Sequence, residues 1–321
     1  MKVCIFKPRL DCTFKKFDGI VPEKIGEIPK IRIPFLQLVE SINKEYSIRG
    51  DKVSVFEKPL WQFTPEQVKE IDADLTFIPH KEKHNFNVPE KKIQYYMQTV
   101  IPHYFSINNL GFLAGASYYP LEPRGDENSL NYEKLKERIN LNMSKFYQPQ
   151  RLYQKFPYRN YILFLCQIPH DETVKYHSNI NVQQALECVI DYCQKNNERL
   201  LVKGHPVNII SMASLKALCK DKKNVVWDER GNVFDYIYHS KSVCVVNSGT
   251  GFESILMCKP VVCFGRAEYD TVVNIANLDN YMHVIAHADY DLVKYKKFID
   301  SWVNIMYDTT NQKSFSKLPN N

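Results

Sequence analysis

In the stretch Ser242–Arg266, SVCVVNSGTGFESILMCKPVVCFGR, an apolar run (Val243–Val246) stops at Asn247-Ser248-Gly249-Thr250-Gly251. A helical pattern on Phe252, Ile255 and Leu256 follows, then Lys259-Pro260 and a second apolar run, Val261–Phe264. This is a β-α-β unit. Its turn is built from small residues: Gly249 and Gly251 let the backbone approach a ligand, and the hydroxyls of Ser248 and Thr250 are placed to cap. The helix would start with unpaired N–H groups and a positive dipole end, which favours an anion such as the phosphate of a nucleotide.

The 321 residues, 44% of them apolar, are enough for two domains with separate cores. The net charge of +6 is spread along the chain, which suits small anionic ligands better than nucleic acid, and no RNA-binding aromatic motif occurs. Nine cysteines, an odd number without a C-x-x-C, sit mostly in apolar runs (Cys4, Cys166, Cys244, Cys263). They read as buried thiols of a reducing compartment, with no zinc-type pairing. The amino terminus is too short and charged for a signal peptide and no run approaches a membrane span, so a cytoplasmic chain is expected.

The first half alternates strands (Val3–Phe6, Val53–Phe56, Leu75–Ile78, Ile93–Met97) with helices (Phe35–Ile42, and Pro65–Ile71 capped by Thr64), the pattern of a doubly wound parallel sheet. Ligands of such sheets gather beyond the carboxyl ends of the strands. Polar residues recur there: Lys7, Arg9 and Asp11; Lys58; His80 and Lys81; Gln98. Asp72-Ala73-Asp74 imitates a D-x-D metal motif but precedes its strand, and Pro79 makes the His80/His84 pair a loop rather than two ligands on a helix. No metal site is expected.

Asn131–Asn142 reads as an amphipathic helix, and Ser144–Asn160 has two prolines and no apolar period, so the domain boundary is placed there. The alternation then restarts, with strands at Tyr161–Cys166, Arg199–Lys203 and Val225–Trp227 and helices at Val182–Lys195, Leu215–Cys219 and Val233–His239. Asp289–Tyr307 reads as a long amphipathic helix and the last dozen residues as a frayed tail. The domains expected are 1–155, 156–285, and a terminal helix and tail at 286–321.

Gln167 after a strand, Lys203-Gly204-His205-Pro206, and Asn247-Ser248-Gly249-Thr250-Gly251-Phe252-Glu253 followed by Gly265-Arg266 resemble the capsule polysaccharide biosynthesis family, which includes Kdo transferases of the GT-B architecture. Weaker upstream likeness runs through Tyr95-Tyr96-Met97-Gln98, Gly111-Phe112 and Ser144-Lys145-Phe146…Gln148, and Gly204 departs from the more frequent Lys-Pro-His-Pro. The resemblance implies an α/β fold of two Rossmann-like domains with parallel sheets facing across a cleft, the first on the acceptor side and the second binding a nucleotide sugar. It implies a glycosyltransferase that moves a hexose, a pentose or Kdo from a CMP-, UDP- or GDP-activated donor to a surface glycan or glycolipid. Peripheral membrane association is compatible with such an acceptor.

The motif chemistry agrees. A departing phosphate needs its developing charge stabilised, which the helix amino end does with fixed dipoles, while His205 and Lys203 supply a proton or a charge-assisted bond. Gln167, Pro206, Asn247, Ser248, Gly249, Thr250 and Gly251 complete the donor site. Glu253 either accepts from ribose hydroxyls or serves as a charge near the dipole. Asp11, His80, Glu122, Asp126 and Asp171 are candidate bases, each with a reading as cap or surface charge, and inversion and retention stay open. The alternatives are a GT-B-fold sugar-nucleotide epimerase and a non-catalytic glycan-binding or assembly protein. No cofactor is expected.

Overall fold

The computed structural model describes residues 1–8, 32–58, 63–89, 91–206 and 209–320. Arg9 and the candidate base Asp11 lie outside the described residues. The chain divides into two compact units, Met1–Tyr119 with Ile305–Asn321, and Pro120–Asn304. The first holds β1 (Lys2–Pro8), α1 (Ile33–Ile48), β2 (Lys52–Lys58), α2 (Pro65–Glu70), β3 (Leu75–Pro79), β4 (Lys92–Gln98) and β5 (Tyr104–Asn108). The second holds α3 (Asn131–Asn140), β6 (Tyr161–Leu165), α4 (Glu172–His177), α5 (Val182–Lys195), β7 (Leu200–Lys203), α6 (Ile209–Cys219), β8 (Val225–Asp228) and α7 (Val233–His239). It continues with β9 (Ser240–Val245), α8 (Gly249–Leu256), β10 (Val261–Cys263), β11 (Asn274–Ile275), α9 (Tyr281–Ala286) and α10 (Leu292–Ile305), after which β12 (Tyr307–Asp308) returns to the first sheet.

The sheet of the first unit runs β12-β5-β4-β3-β1-β2. Strands β1 to β4 are parallel, as their pattern predicts. The Asp72-Ala73-Asp74 motif fastens this sheet: Asp74 accepts the Lys2 N–H at 2.6 Å and Asp72 pairs with the Lys2 ammonium. Strand β5 was not expected and is antiparallel to β4. The turn that reverses the chain is closed by the Thr99 N–H on Tyr104 O at 3.0 Å and by His103 at φ 77°.

The chain end corrects the expectation of fraying. Strand β12 pairs antiparallel with β5, and Phe315 and Leu318 are buried in one cluster with Phe35, Leu38 and Tyr46 of α1. Arg49 donates to the carbonyls of Leu318 and Pro319 at 3.3 and 2.9 Å. Two apolar residues in a polar tail give no periodicity to read, yet they suffice to anchor it.

The sheet of the second unit is parallel throughout, in the order β11-β10-β9-β6-β7-β8. Counted from β6, this is the doubly wound order 6-5-4-1-2-3, which reverses direction between β6 and β9. One face carries α5 and α6 over Phe164, Val202, Cys244 and Val262. Helix α5 opens with a capping box between Asn181 and Gln184.

The units part at residue 119 rather than near 155, because residues 120–160 are bonded to the second unit. Tyr132 of α3 donates to the Ile255 and Leu256 carbonyls at the end of α8, at 3.2 and 3.1 Å. Asp300 of α10 accepts the Asp126 N–H and the Asn131 amide at 2.9 and 2.7 Å. Here α3 buries Tyr132, Leu135 and Ile139, and the loops on either side of it hold by hydrogen bonds.

Since Phe315 is fully buried, Phe315→Ala is expected to destabilise the first unit by about 3–5 kcal/mol. Denaturant unfolding followed by hydrogen exchange in β5 and β12 checks this; wild-type protection there would refute the anchoring role.

Candidate functional site

The carboxyl ends of β6 and β9 meet at the reversal of strand order, where an open α/β sheet forms its ligand crevice. Two amide side chains bridge the gap. Gln167 Nε2 donates to Asn247 Oδ1 at 2.8 Å and to Thr173 Oγ1 at 3.0 Å, and Gln167 Oε1 accepts the Asn247 N–H at 3.2 Å. Asn247 Nδ2 donates to the carbonyls of Thr173 at 2.8 Å and Arg266 at 3.3 Å. Both residues are buried. Only side chains that donate and accept at once can close this network; a carboxylate in either place would oppose oxygen to oxygen. Asp171 joins it as the cap of α4, accepting from the Thr173 N–H and hydroxyl at 2.9 and 2.7 Å.

Beyond Asn247 the chain enters α8. Ser248 is the N-cap: its hydroxyl accepts the Thr250 N–H at 3.3 Å and the Thr250 hydroxyl at 2.8 Å, and its carbonyl accepts the Gly251 N–H at 2.9 Å. The amides of Ser248 and Gly249 remain as first-turn donors with no acceptor among the described residues, at the positive end of the helix dipole. Gly251 has a different reason from the one its motif suggests. A Cβ there would lie 2.7 Å from Cζ of Tyr269, whose hydroxyl donates to the Ser248 carbonyl at 2.6 Å. The bare Cα makes room for the ring that props the turn.

His205 follows β7, the strand beside β6. Its ring stands edge-on to Phe146 with centroids 5.4 Å apart, and Pro206 after it is exposed. Gly204, where the family pattern has proline, is bare because a Cβ would lie 2.8 Å from the Trp227 ring. Lys203, expected to act beside His205, is the last residue of β7. It is buried, its ammonium 5.6 Å above the Tyr236 ring and 3.5 Å from the Gly204 carbonyl, and burial lowers its pKa against the pull of Asp228.

The segment 142–153, most of it inside the Ser144–Asn160 stretch where the domain boundary was expected, is a strap of the second unit. Ser144 donates to Glu253 Oε1 at 2.7 Å, Phe146 meets His205, and Gln148 accepts the Val233 N–H at 2.9 Å. It ends on Asp235, wholly buried, which takes Arg151 Nε at 3.2 Å and the N–H groups of Leu152 and Tyr153 at 2.5 and 3.3 Å.

Two acids lie inside this arrangement. Glu253 is 2% exposed, and burial pushes its carboxyl up to about 7, against the pull of Ser144 and Arg138. Glu268 is 5% exposed and pushed by burial up to about 8, against Trp302 and Lys145. Oε2 of each has no hydrogen-bond partner among the described residues. Glu268, one residue before Tyr269, is unheralded in the sequence, where a single acid after Gly265-Arg266 has no motif around it.

Other candidates are spread apart. Asp126 is exposed and caps its own turn at the Asn128 N–H, and Glu122 is exposed. His80 follows β3 of the first unit at φ 54°, its N–H on Tyr96 O at 3.0 Å and its ring 6.4 Å from Phe112. His84 faces Glu82 at 3.1 Å and Lys7 pairs with Glu57. No group of three potential metal ligands occurs among the described residues.

Glu253 and Glu268 keep a proton in the folded chain at pH values where an unfolded glutamate, near 4.5, has lost it. The folded state therefore binds more protons, and stability falls as pH rises from about 4.5 to about 8, then levels. Glu268→Gln is expected to reduce that fall by on the order of 2 kcal/mol or more. Denaturant midpoints between pH 5 and 8 test it; parallel curves for variant and wild type would refute it.

The model of the family described as capsule polysaccharide biosynthesis protein matches residues 85–309. Among solved structures, the fold is similar to a Thermosulfurimonas dismutans KpsC, beta Kdo 2,7 transferase (18% identity, 80% of this chain and 85% of that one, TM-score 0.50). It is likewise similar to a Thermosulfurimonas dismutans KpsC, beta Kdo 2,4 transferase (16% identity, 82% and 87%, TM-score 0.51). A sequence search of curated proteins finds no match. The likeness to these structures is one of fold, two Rossmann-like units, and the family match covers the Gln167 network, the His205 loop and the turn into α8. This chain belongs to the capsule polysaccharide biosynthesis family.

Proposed function

We propose that the chain is a glycosyltransferase that moves a sugar from a nucleotide-activated donor to a growing capsule or other surface glycan. The observation that carries this reading is the amino end of α8, propped by Tyr269 and fixed to β6 through Gln167 and Asn247 at the reversal of strand order. Backbone donors held this rigidly stabilise a departing phosphate without reorganising in the transition state. His205 is the proton donor or charged partner of that phosphate, its ring steered by Phe146. Glu253 holds the strap through Ser144 instead of meeting solvent.

The first unit is the acceptor side. Of the candidate bases, His80 has an imidazole at a strand's carboxyl end, while Asp126 and Asp171 spend carboxylate oxygens on backbone N–H groups. No helix among the described residues is long and apolar enough to cross a membrane. The eight described cysteines are all free thiols, which fits a cytoplasmic site of action, and a glycolipid acceptor would bring the chain to a membrane surface.

Incubation with CMP-Kdo and with UDP- and GDP-sugars, with and without capsule oligosaccharide, tests the reading. Nucleotide release that requires acceptor supports it; sugar conversion without acceptor means an epimerase, and glycan binding without turnover a non-catalytic protein. His205→Ala is expected to lower kcat by roughly a hundredfold or more while the melting temperature is kept. Transfer is expected to persist in chelator, since the positive field comes from α8; loss restored only by Mn²⁺ or Mg²⁺ would refute this.

A further inference from the structure

At the amino ends of β3 and β4, where Leu75 and Lys92 are paired in register, the first unit has a pocket of about 280 Å³. Strands β1 to β4 run parallel, so this is the end of their sheet away from the carboxyl-end crevice. Buried Leu75, Val88, Ile93 and Tyr95 form its floor, and Lys83, Lys91 and Lys92 contribute to its wall. No Asp or Glu among the described residues lines it. The acids beside it in the fold are committed elsewhere: Asp72 and Asp74 hold Lys2, and Asp51 pairs with the Met1 ammonium. We propose that this pocket binds one carboxylate-bearing unit of an acidic glycan, away from the place of transfer. The choice of a glycan rests on the function proposed above, and the choice of an anionic one on the lysines.

Three kinds of group meet there. Lys83 and Lys92 are exposed, with no acid partner among the described residues, while Lys91 is fixed by its ammonium on the Ile71 carbonyl at 2.7 Å. The side-chain amides of Asn87, Gln94 and Asn109 also line the pocket and make no hydrogen bond to the described residues. Ammonium groups select an anion, amides that donate and accept at once select hydroxyls, and an apolar floor suits the C–H face of a sugar ring. A bare phosphate uses the first of these, a neutral sugar the other two, and a sugar acid all three. The volume is at the lower edge of the range for ligand sites, about 300–1,000 Å³, which leaves room for one unit and not for a chain. Strand β4 is seven residues long and separates the pocket from the carboxyl-end crevice by roughly 20 Å. The unit held here is therefore an earlier one of the glycan than the unit being extended.

Ligand-observed NMR titration of the full chain with glucuronic acid, Kdo and N-acetylneuraminic acid tests it, with glucose and inorganic phosphate as controls. The variants are Lys83→Met with Lys92→Met, which keeps the aliphatic stems, and Lys83→Arg with Lys92→Arg, which keeps the charges. At least one sugar acid is expected to bind about tenfold or more tightly than glucose and phosphate. Its affinity is expected to fall about tenfold or more in the Met double variant and only about twofold in the Arg one, with melting temperatures unchanged. Sugar acids that bind no tighter than glucose, phosphate that binds equally well, or an unchanged affinity in the Met double variant each overturn the inference. The transfer assay reads the function separately: binding lost while acceptor-dependent transfer persists removes this site alone, and binding kept without any transfer leaves the site and removes the transferase.

Discussion

The pairing of Gln167 with Asn247 is the constraint on which the second unit depends. A doubly wound sheet opens where its strand order reverses, and nothing in the backbone ladder holds the loops at that point. Here two buried amides span it, with the side-chain nitrogen of Gln167 donating twice and its side-chain oxygen accepting once. Each bond contributes about 1 kcal/mol net, but a buried amide left without its partner costs about 1–3 kcal/mol, so the network is held as a unit. Its effect is to set the start of α8, and through Thr173 the start of α4, against the end of β6.

The strap adds a second layer. Its contacts use four kinds of partner: a buried carboxyl whose pKa burial raises, an imidazole, a backbone N–H and a second buried carboxylate. Removing the Asp235 end would leave Arg151 charged and buried without its acceptor, a loss of about 3–5 kcal/mol for such pairs. A segment secured in this way behaves as part of the site's wall.

How much of this was legible follows from what makes each element. Helices α5 and α7 have the bounds their sequence predicts, because Asn181 and Asn232 cap them and their apolar faces repeat at helical spacing. The turn at Ser248 was legible from its glycines, although Gly251 serves Tyr269, a partner no local pattern reveals. Strand β5 was missed because its reversal depends on His103 in a left-handed conformation, which histidine does not advertise. The strap, Glu268 and the anchored chain end were missed for a common reason: their partners are distant in sequence, and hydrogen bonds between distant residues leave no period. Lys203 was read as acting on the ligand beside His205; its ammonium lies buried over the Tyr236 ring, a partner that the sequence does not reveal.

The return of the chain at β12 bears on how the protein is made. Tyr307 pairs with Phe105 across a separation on the order of 200 residues, and the whole second unit lies between them. On a ribosome the first sheet emerges without its outer strand and without Phe315 and Leu318, while the second unit is complete as soon as α10 has left the exit tunnel. The unit begun first is therefore the one finished last, and until then its β5 edge is an open template for pairing. A nascent chain stalled before residue 305 would expose that edge, which β12 covers once it has been made.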